Sequence, residues 1–335
     1  MKARTRLKWP FSFRFLFPLS LIVILSVVPI LITQSYILHV IILIFIYAYV
    51  VECWGIIGSY VGQLSVAHGV FFGIGAYTST VLFLNYNLSP WIGLVAGGCV
   101  SAALSIIIGY PCFKTKIRHL FFVMSTLAIN EVLRVTVKQV DFLGGASGLW
   151  IPVLGNSPLN FQFDSRIGYY YVALGMLIAG VLVVLLIIER TYLKLYLLSI
   201  REDEDAAESI GINVLKYKTI AFAISAFFTA FAGTFFAQYY FYIHPDTTIR
   251  LAFAEQIMLF GIVGGGGIVG PIVAACILVP LSELTRYFLP SSLAGLQLIG
   301  FGVILYLVVM YKPAGIGESI EKAFNRLVES VRKKE

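Results

Sequence analysis

Ten apolar runs divide this 335-residue chain, at about 15–33, 36–57, 69–86, 91–110, 119–137, 168–188, 219–241, 247–263, 268–289 and 292–311. Each is close to the roughly 20 residues a helix needs to cross a hydrocarbon layer about 30 Å thick. In lipid the backbone must satisfy its own hydrogen bonds, so runs of this length read as helices. Charged residues make up 12% of the chain, about half the share of a soluble domain. No stretch is polar enough for a separate soluble enzyme. The expected fold is all-α and polytopic, with about ten transmembrane helices (nine to eleven). One membrane domain at 15–311 lies between a basic stretch 1–14 and a tail 312–335.

The net charge of +7 is unevenly placed. Lys2, Arg4, Arg6, Lys8 and Arg14 precede the first run, and Lys114, Lys116 and Arg118 follow the fourth. Arg190, Lys194, Arg201, Lys216 and Lys218 lie between the sixth and seventh, and Lys312, Lys322, Arg326, Arg332, Lys333 and Lys334 close the chain. Cations mark the cytoplasmic side. Ten crossings place both termini, 111–118 and 189–218 in the cytoplasm and 138–167 outside. This is the charge pattern of a multi-pass protein of the plasma or inner membrane, and it needs no nucleic acid as partner. The run Phe15–Thr33 is too long for a signal-peptide core and lacks a small-x-small cleavage site, so it reads as an uncleaved span. The outward 138–167 stretch suits a cap over a path, a receptor for an external partner or a plain connector.

One polar island interrupts the oil. Between Leu198 and Gly211 five acids fall within seven positions, Glu202, Asp203, Glu204, Asp205 and Glu208. Ser199 and Glu202 have capping-box spacing, acids crowd the first turn and Gly211 is a C-terminal stop. These signals predict one helix of about eleven residues, roughly 16 Å long. Ile200, Ala206, Ala207 and Ile210 are expected to gather toward one side of it.

Polar residues inside the runs are the candidates for a path. Gln63, Ser65 and His68 sit among Gly55, Gly58, Gly62, Gly69, Gly73 and Gly75. Helix packing and a broken helix lining a cavity both accommodate these glycines, while the polar groups favour an interior or cavity position. Thr126, Asn130, Glu131 and Arg134 share the fifth run. Glu131 and Arg134, three apart, suit either a structural ion pair or the path. Glu255 and Gln256, and Glu283 and Arg286, carry the same two readings. Gly264–Gly267 lacks the Lys-Ser/Thr of a phosphate loop, so any ATP is bound by another subunit. Four histidines, at 39, 68, 119 and 244, make no catalytic motif, and Cys53, Cys99, Cys112 and Cys276 have no metal or disulfide spacing.

The motifs together resemble the branched-chain amino acid ABC permeases. Gln63–Thr78 is similar to their first signature, with Val66-Ala67 in place of Leu-Gly. Ser125–Arg134 is similar to T-L-A-x-x-E-x-x-R, with Ile129-Asn130 before the acid, and Gly144–Leu149 to the loop that follows. Ile200–Asn213 resembles the cytoplasmic I-R-E-D-E-x-A-A-E-x-x-G-I-N, Ile262–Pro271 the V-x-G-G-x-G-x-x-x-G-P and Lys312-Pro313-Ala314-Gly315 the terminal R-P-x-G. The resemblance spans about 50–317, and the R-E-D-E form resembles the larger of two paired permease subunits.

The resemblance implies an importer without catalysis or cofactor of its own. ATP and Mg would be bound by cytoplasmic ABC ATPase subunits, beside a second permease, an external solute-binding protein and membrane lipid. Arg201, Glu202, Asp203, Glu204, Ala206, Ala207 and Gly211 would form the short cytoplasmic coupling helix that docks on the ATPase. Gln63, Ser65, His68, Thr126, Asn130, Glu131 and Gln256 are the expected path residues. Related permeases carry urea or short amides, which is the alternative substrate class. A secondary transporter or channel independent of ATP is the alternative mechanism, and a membrane enzyme the third.

Overall fold

Among the described residues, eight helices of more than one turn lie along the apolar runs, and two more lie at the polar island. They are α1 (Ser35–Gly55), α2 (His68–Tyr86), α3 (Pro90–Lys114), α4 (His119–Gln139), α5 (Arg166–Val183), α6 (Leu193–Glu202), α7 (Glu204–Ser209), α8 (Val214–Tyr240), α9 (Leu251–Gly264) and α10 (Val269–Phe288). The computed structural model describes residues 25–32, 34–117, 119–288, 299–300, 302–303, 306–307, 310–311 and 315–317. The basic stretch 1–14, much of the first and tenth runs, Lys312-Pro313-Ala314 and the tail from 318 lie outside the described residues.

The protein is all-α and multi-pass. Among the described residues, six helical segments are long and apolar enough to cross a membrane: Ser35–Tyr60, Pro90–Lys114, Leu120–Gln139, Arg166–Glu189, Val214–Tyr240 and Pro245–Gly264. Two of these extend a helix by a π turn, Ile56–Tyr60 after α1 and Val184–Glu189 after α5. Span starts are set by caps. Ser89 Oγ accepts from the Trp91 N–H with Pro90 in the first turn, and Asn213 Oδ1 accepts from the Lys216 N–H at 2.9 Å to start α8.

At 27 residues, about 40 Å long, α8 is the axis of the bundle. It packs on α2 and α3 through small residues. A Cβ on Gly75 would lie 1.9 Å from the Ala230 carbonyl oxygen, and one on Gly233 1.8 Å from that of Phe72. Only a missing side chain lets these backbones approach so closely, the small-residue packing typical of membrane helices.

The bundle has two distinct ends. At one, Tyr60 donates to Glu189 (2.6 Å), Glu189 pairs with Lys194 (2.5 Å) and Arg201 Nη1 donates to the Ser59 carbonyl (2.8 Å). This is the island end. At the other, β1 (Leu149–Trp150) pairs antiparallel with β2 (Tyr242–Ile243), in register Leu149 with Ile243. The 138–167 stretch is thereby tied to the far end of α8. Trp91 stacks on Phe161 at 4.3 Å and donates to the Pro158 carbonyl at 2.9 Å. Gln162 accepts from the Leu154 N–H and donates to the Pro152 carbonyl. The stretch is thus an ordered cover over this end of the bundle.

The eighth run departs from a plain span. After β2, Pro245–Thr248 forms one helical turn closed by a His244–Thr247 capping box. The chain then breaks at Ile249-Arg250 before α9, which is 14 residues, about 21 Å long. A helix of that length covers only part of a bilayer. Gly265–Ile268 make the turn from α9 to α10, where the sequence expects an interruption.

Candidate functional site

The island is two helices rather than one. The apolar positions Leu197 and Ile200 are already buried, so α6 begins at Leu193 and Ser199 lies inside it. There its hydroxyl donates to the Leu195 carbonyl four residues back (2.9 Å) and caps nothing. Asp203 takes the capping role. Its backbone is extended (φ −161, ψ 116) and its carboxylate accepts from the Ala206 N–H at 2.9 Å, starting α7. Gly211 stops it as the sequence indicates, at φ +89 with its N–H on the Glu208 carbonyl. The four residues expected on one side divide: Ile200 and Ala207 are buried, while Ala206 and Ile210 face outward.

Most of the island's acids are engaged within the chain. Glu204 pairs at 2.8 Å with Lys218 of α8, whose side chain is only 2% exposed and lies 5.0 Å over the Phe113 ring. Lys116, from the α3–α4 turn, meets Glu208 at 2.8 Å and Asp205 at 3.4 Å. Those hydrogen-bonded carboxylates hold its ammonium above its ordinary range. Arg201 is fixed on Ser59. Of the five acids Glu202 alone makes no ion pair or hydrogen bond with a described residue. The outward surface is therefore Glu202, Ala206, Ile210 and Gly211, on a body locked to α3, α8 and the end of α1.

A second polar region lies inside the bundle. Beyond the π turn the chain is non-helical from Val61 to Ala67 and turns back into the bundle, so that α2 starts deep within it. Thr126, Asn130, Arg134 and Lys138 repeat every four residues and form one face of α4. Thr126 Oγ1 accepts from the Val66 N–H (3.1 Å), and Asn130 Nδ2 donates to the Ile249 carbonyl (3.2 Å). Arg134 and Lys138 both reach Asp246, Lys138 at 2.7 Å. One face of α4 therefore braces both breaks in the bundle, 61–67 and 244–250.

Five of the predicted path residues come together here. Gln63, Ser65, His68, Thr126 and Asn130 are all buried. Ser65 Oγ accepts from the Ala67 N–H, and its carbonyl accepts from Trp54 Nε1 at 2.9 Å. His68 Nε2 lies 2.7 Å from Ser225 Oγ, which donates to the Cys53 carbonyl. Three of these five residues carry a buried atom with no partner among the described residues: Gln63 Nε2, His68 Nδ1 and Asn130 Oδ1. The other two path residues stand apart. Gln256 accepts from the Tyr47 hydroxyl at 3.3 Å. Glu131 is 43% exposed and holds Arg134 through both its oxygens, realising the ion-pair reading of that spacing.

Sequence reasoning missed two residues. Glu52, in the middle of the second run, is 2% exposed and its Oε1 has no described partner; the signal was an acid flanked by Val51 and Cys53. Lys218 reads in sequence as one more topology cation, because its partner lies 14 positions away.

The model of the family described as branched-chain amino acid transport system / permease component matches residues 36–310. A branched-chain amino acid permease protein LivM from Salmonella typhimurium is 30% identical over 281 residues, covering 76% of this chain and 64% of the relative. LivM from Escherichia coli is 29% identical over 280 residues, with the same shares. A nucleoside ABC transporter permease, NupC of Lactococcus lactis, is 25% identical over 181 residues, 49% of this chain and 55% of its own. The match thus spans under two thirds of the length of these two LivM proteins. No solved structure matches it.

Proposed function

This chain belongs to the branched-chain amino acid transport permease family, and from that premise we propose that it is the larger membrane subunit of an ATP-driven importer of branched-chain amino acids. It works beside a second permease, cytoplasmic ABC ATPase subunits that bind ATP and Mg, and an external solute-binding protein. Ten crossings leave both termini in the cytoplasm. Lys116, Lys194, Arg201 and Lys218 all fall at the island end, which supports placing that end in the cytoplasm.

The observation that carries the reading is the locked island. A docking element that transmits force must be rigid toward its own subunit and open toward its partner. Arg201, Asp203, Glu204 and Ala207 serve the first need, through the Ser59 carbonyl, the α7 cap, the Lys218 pair and burial. Glu202, Ala206 and Gly211 serve the second. ATP-driven movement of the ATPase then displaces α6 and α7 together with α8, and the spans alternate between outward and inward access.

The test is uptake of labelled leucine, urea and a nucleoside in cells lacking this chain, with and without its restored expression. The expected result is leucine uptake that returns with the chain, stops on ATP depletion with the ion gradient clamped, and is lost in Glu202→Lys. Uptake that follows the ion gradient and survives ATP depletion would sink the reading. Restored urea or nucleoside uptake without leucine would retain the mechanism and replace the substrate.

A further inference from the structure

Two helices begin where a membrane helix is least able to begin, inside the bundle. α2 starts at His68 and leads to the β1–β2 end, while α9 starts at Leu251 and leads to the island end, where Ser59 Oγ donates to the Gly265 carbonyl. Their first turns touch: a Cβ on Gly69 would lie 3.1 Å from Ala254 Cβ and 3.4 Å from the Arg250 carbonyl oxygen. The first N–H groups of a helix have no acceptor within it and form the positive end of its dipole. Among the described residues no acceptor takes the N–H of His68, Gly69, Leu251 or Ala252. Two positive helix ends therefore meet, the α2 start buried and the α9 start half-buried beside exposed Arg250, an arrangement that repels itself and attracts an anionic group.

A second observation points the same way. Asn130 bridges the two starts. Its Nδ2 holds the Ile249 carbonyl, just before α9. Its Oδ1 is buried, has no described partner, and would lie 2.8 Å from a Cβ on Gly69 at the start of α2. An unpartnered acceptor in such a place is destabilising and suits a donor carried by a ligand. The neighbouring acids Glu131 and Asp246 are held by Arg134 and Lys138.

We infer that the meeting point of α2 and α9 is the seat for the zwitterionic head of the transported amino acid. The carboxylate lies on the N–H groups of His68, Gly69, Leu251 and Ala252, and the ammonium on Asn130 Oδ1. The ammonium nitrogen and the carboxylate oxygens of the ligand are three bonds apart, and the seat offers donors and an acceptor side by side. This rests on the amino-acid reading above and places its specificity inside this chain. His68 and Asn130 are fully buried, so substrate reaches the seat only when the bundle opens.

The test uses the complete transporter: this chain, its paired permease, ATPase and binding protein. Leucine uptake is measured in proteoliposomes for wild type, Asn130→Leu, Asn130→Gln and Gly69→Ala. Heat stability of the same complex without binding protein is followed with leucine, leucinol (no carboxylate) and 4-methylpentanoate (no ammonium). The expected result is a fall in kcat/KM of about tenfold or more in Asn130→Leu and Gly69→Ala, with partial retention in Asn130→Gln. Leucine alone should raise the unfolding midpoint. Stabilisation by leucinol equal to that by leucine would overturn the seat, as would unchanged uptake in all three variants, and either leaves the amino-acid reading standing. A wild-type complex that neither transports nor is stabilised by any amino acid overturns both.

Discussion

The island and the meeting point of α2 and α9 are both polar regions of an apolar protein, and they handle polarity in opposite ways. At the island four of five acids are answered from within the chain, two by Lys116, one by Lys218 and one by the α7 amide it caps. At the meeting point Asn130 Oδ1 and His68 Nδ1 are buried with no described partner, although burial makes an unanswered polar atom more expensive there than at a surface. The first region is completed by its own residues and is suited to transmit a push. The second is left incomplete, the state expected of a place that a ligand completes.

The comparison is broken most severely at Lys218. Lys218→Met leaves half-buried Glu204 without its cation and should cost about 1.5–3 kcal/mol, read as a lowered unfolding midpoint and protease cleavage near 203–213. Lys218→Arg should retain most of the stability, and pairing Lys218→Met with Glu204→Leu should restore much of it. Thr126→Val leaves the buried Val66 N–H unanswered and should cost about 1–3 kcal/mol; an equal loss in Ser125→Ala, whose hydroxyl bonds only the Phe121 carbonyl of its own helix, would deny that the α4 face braces the break. Asn213→Ala removes the α8 cap for about 1 kcal/mol, measurable in the same melt. Glu202→Lys should leave the melt unchanged while abolishing co-purification of the ATPase, since Glu202 has no partner among the described residues. A destabilised Glu202→Lys protein would erase the distinction between locked and open faces of the island.

What was legible in the sequence was whatever depends on near neighbours. Run length announced the helices, Gly211 announced its own turn, and Glu131 with Arg134 announced a pair because three residues is a fixed distance on a helix. The helix break inside the island was not legible. Both Ser199 and Asp203 offer capping chemistry, and the choice was made by Leu197 and Ile200 finding the core, which pulled the helix start back to Leu193. The break at Ile249-Arg250 was hidden because an apolar run looks the same whether one helix or two half-elements occupy it. Lys218, Glu52 and the stripe at 126, 130, 134 and 138 take their meaning from partners far along the chain. Only the three-dimensional arrangement supplies those.

The 27 residues of α8 give the molecule a see-saw. One end is pinned to the island by Lys218 and the other runs into β2, which holds the cover strand β1. A rod about 40 Å long that tilts by about 5° around its middle carries its two ends through roughly 2 Å in opposite directions. The close contact of Gly75 with Ala230 sits near that middle, where a fulcrum would lie. A push at the island end, as the proposed function requires, would lift the cover at the other end in the same stroke, with no relay of side chains in between.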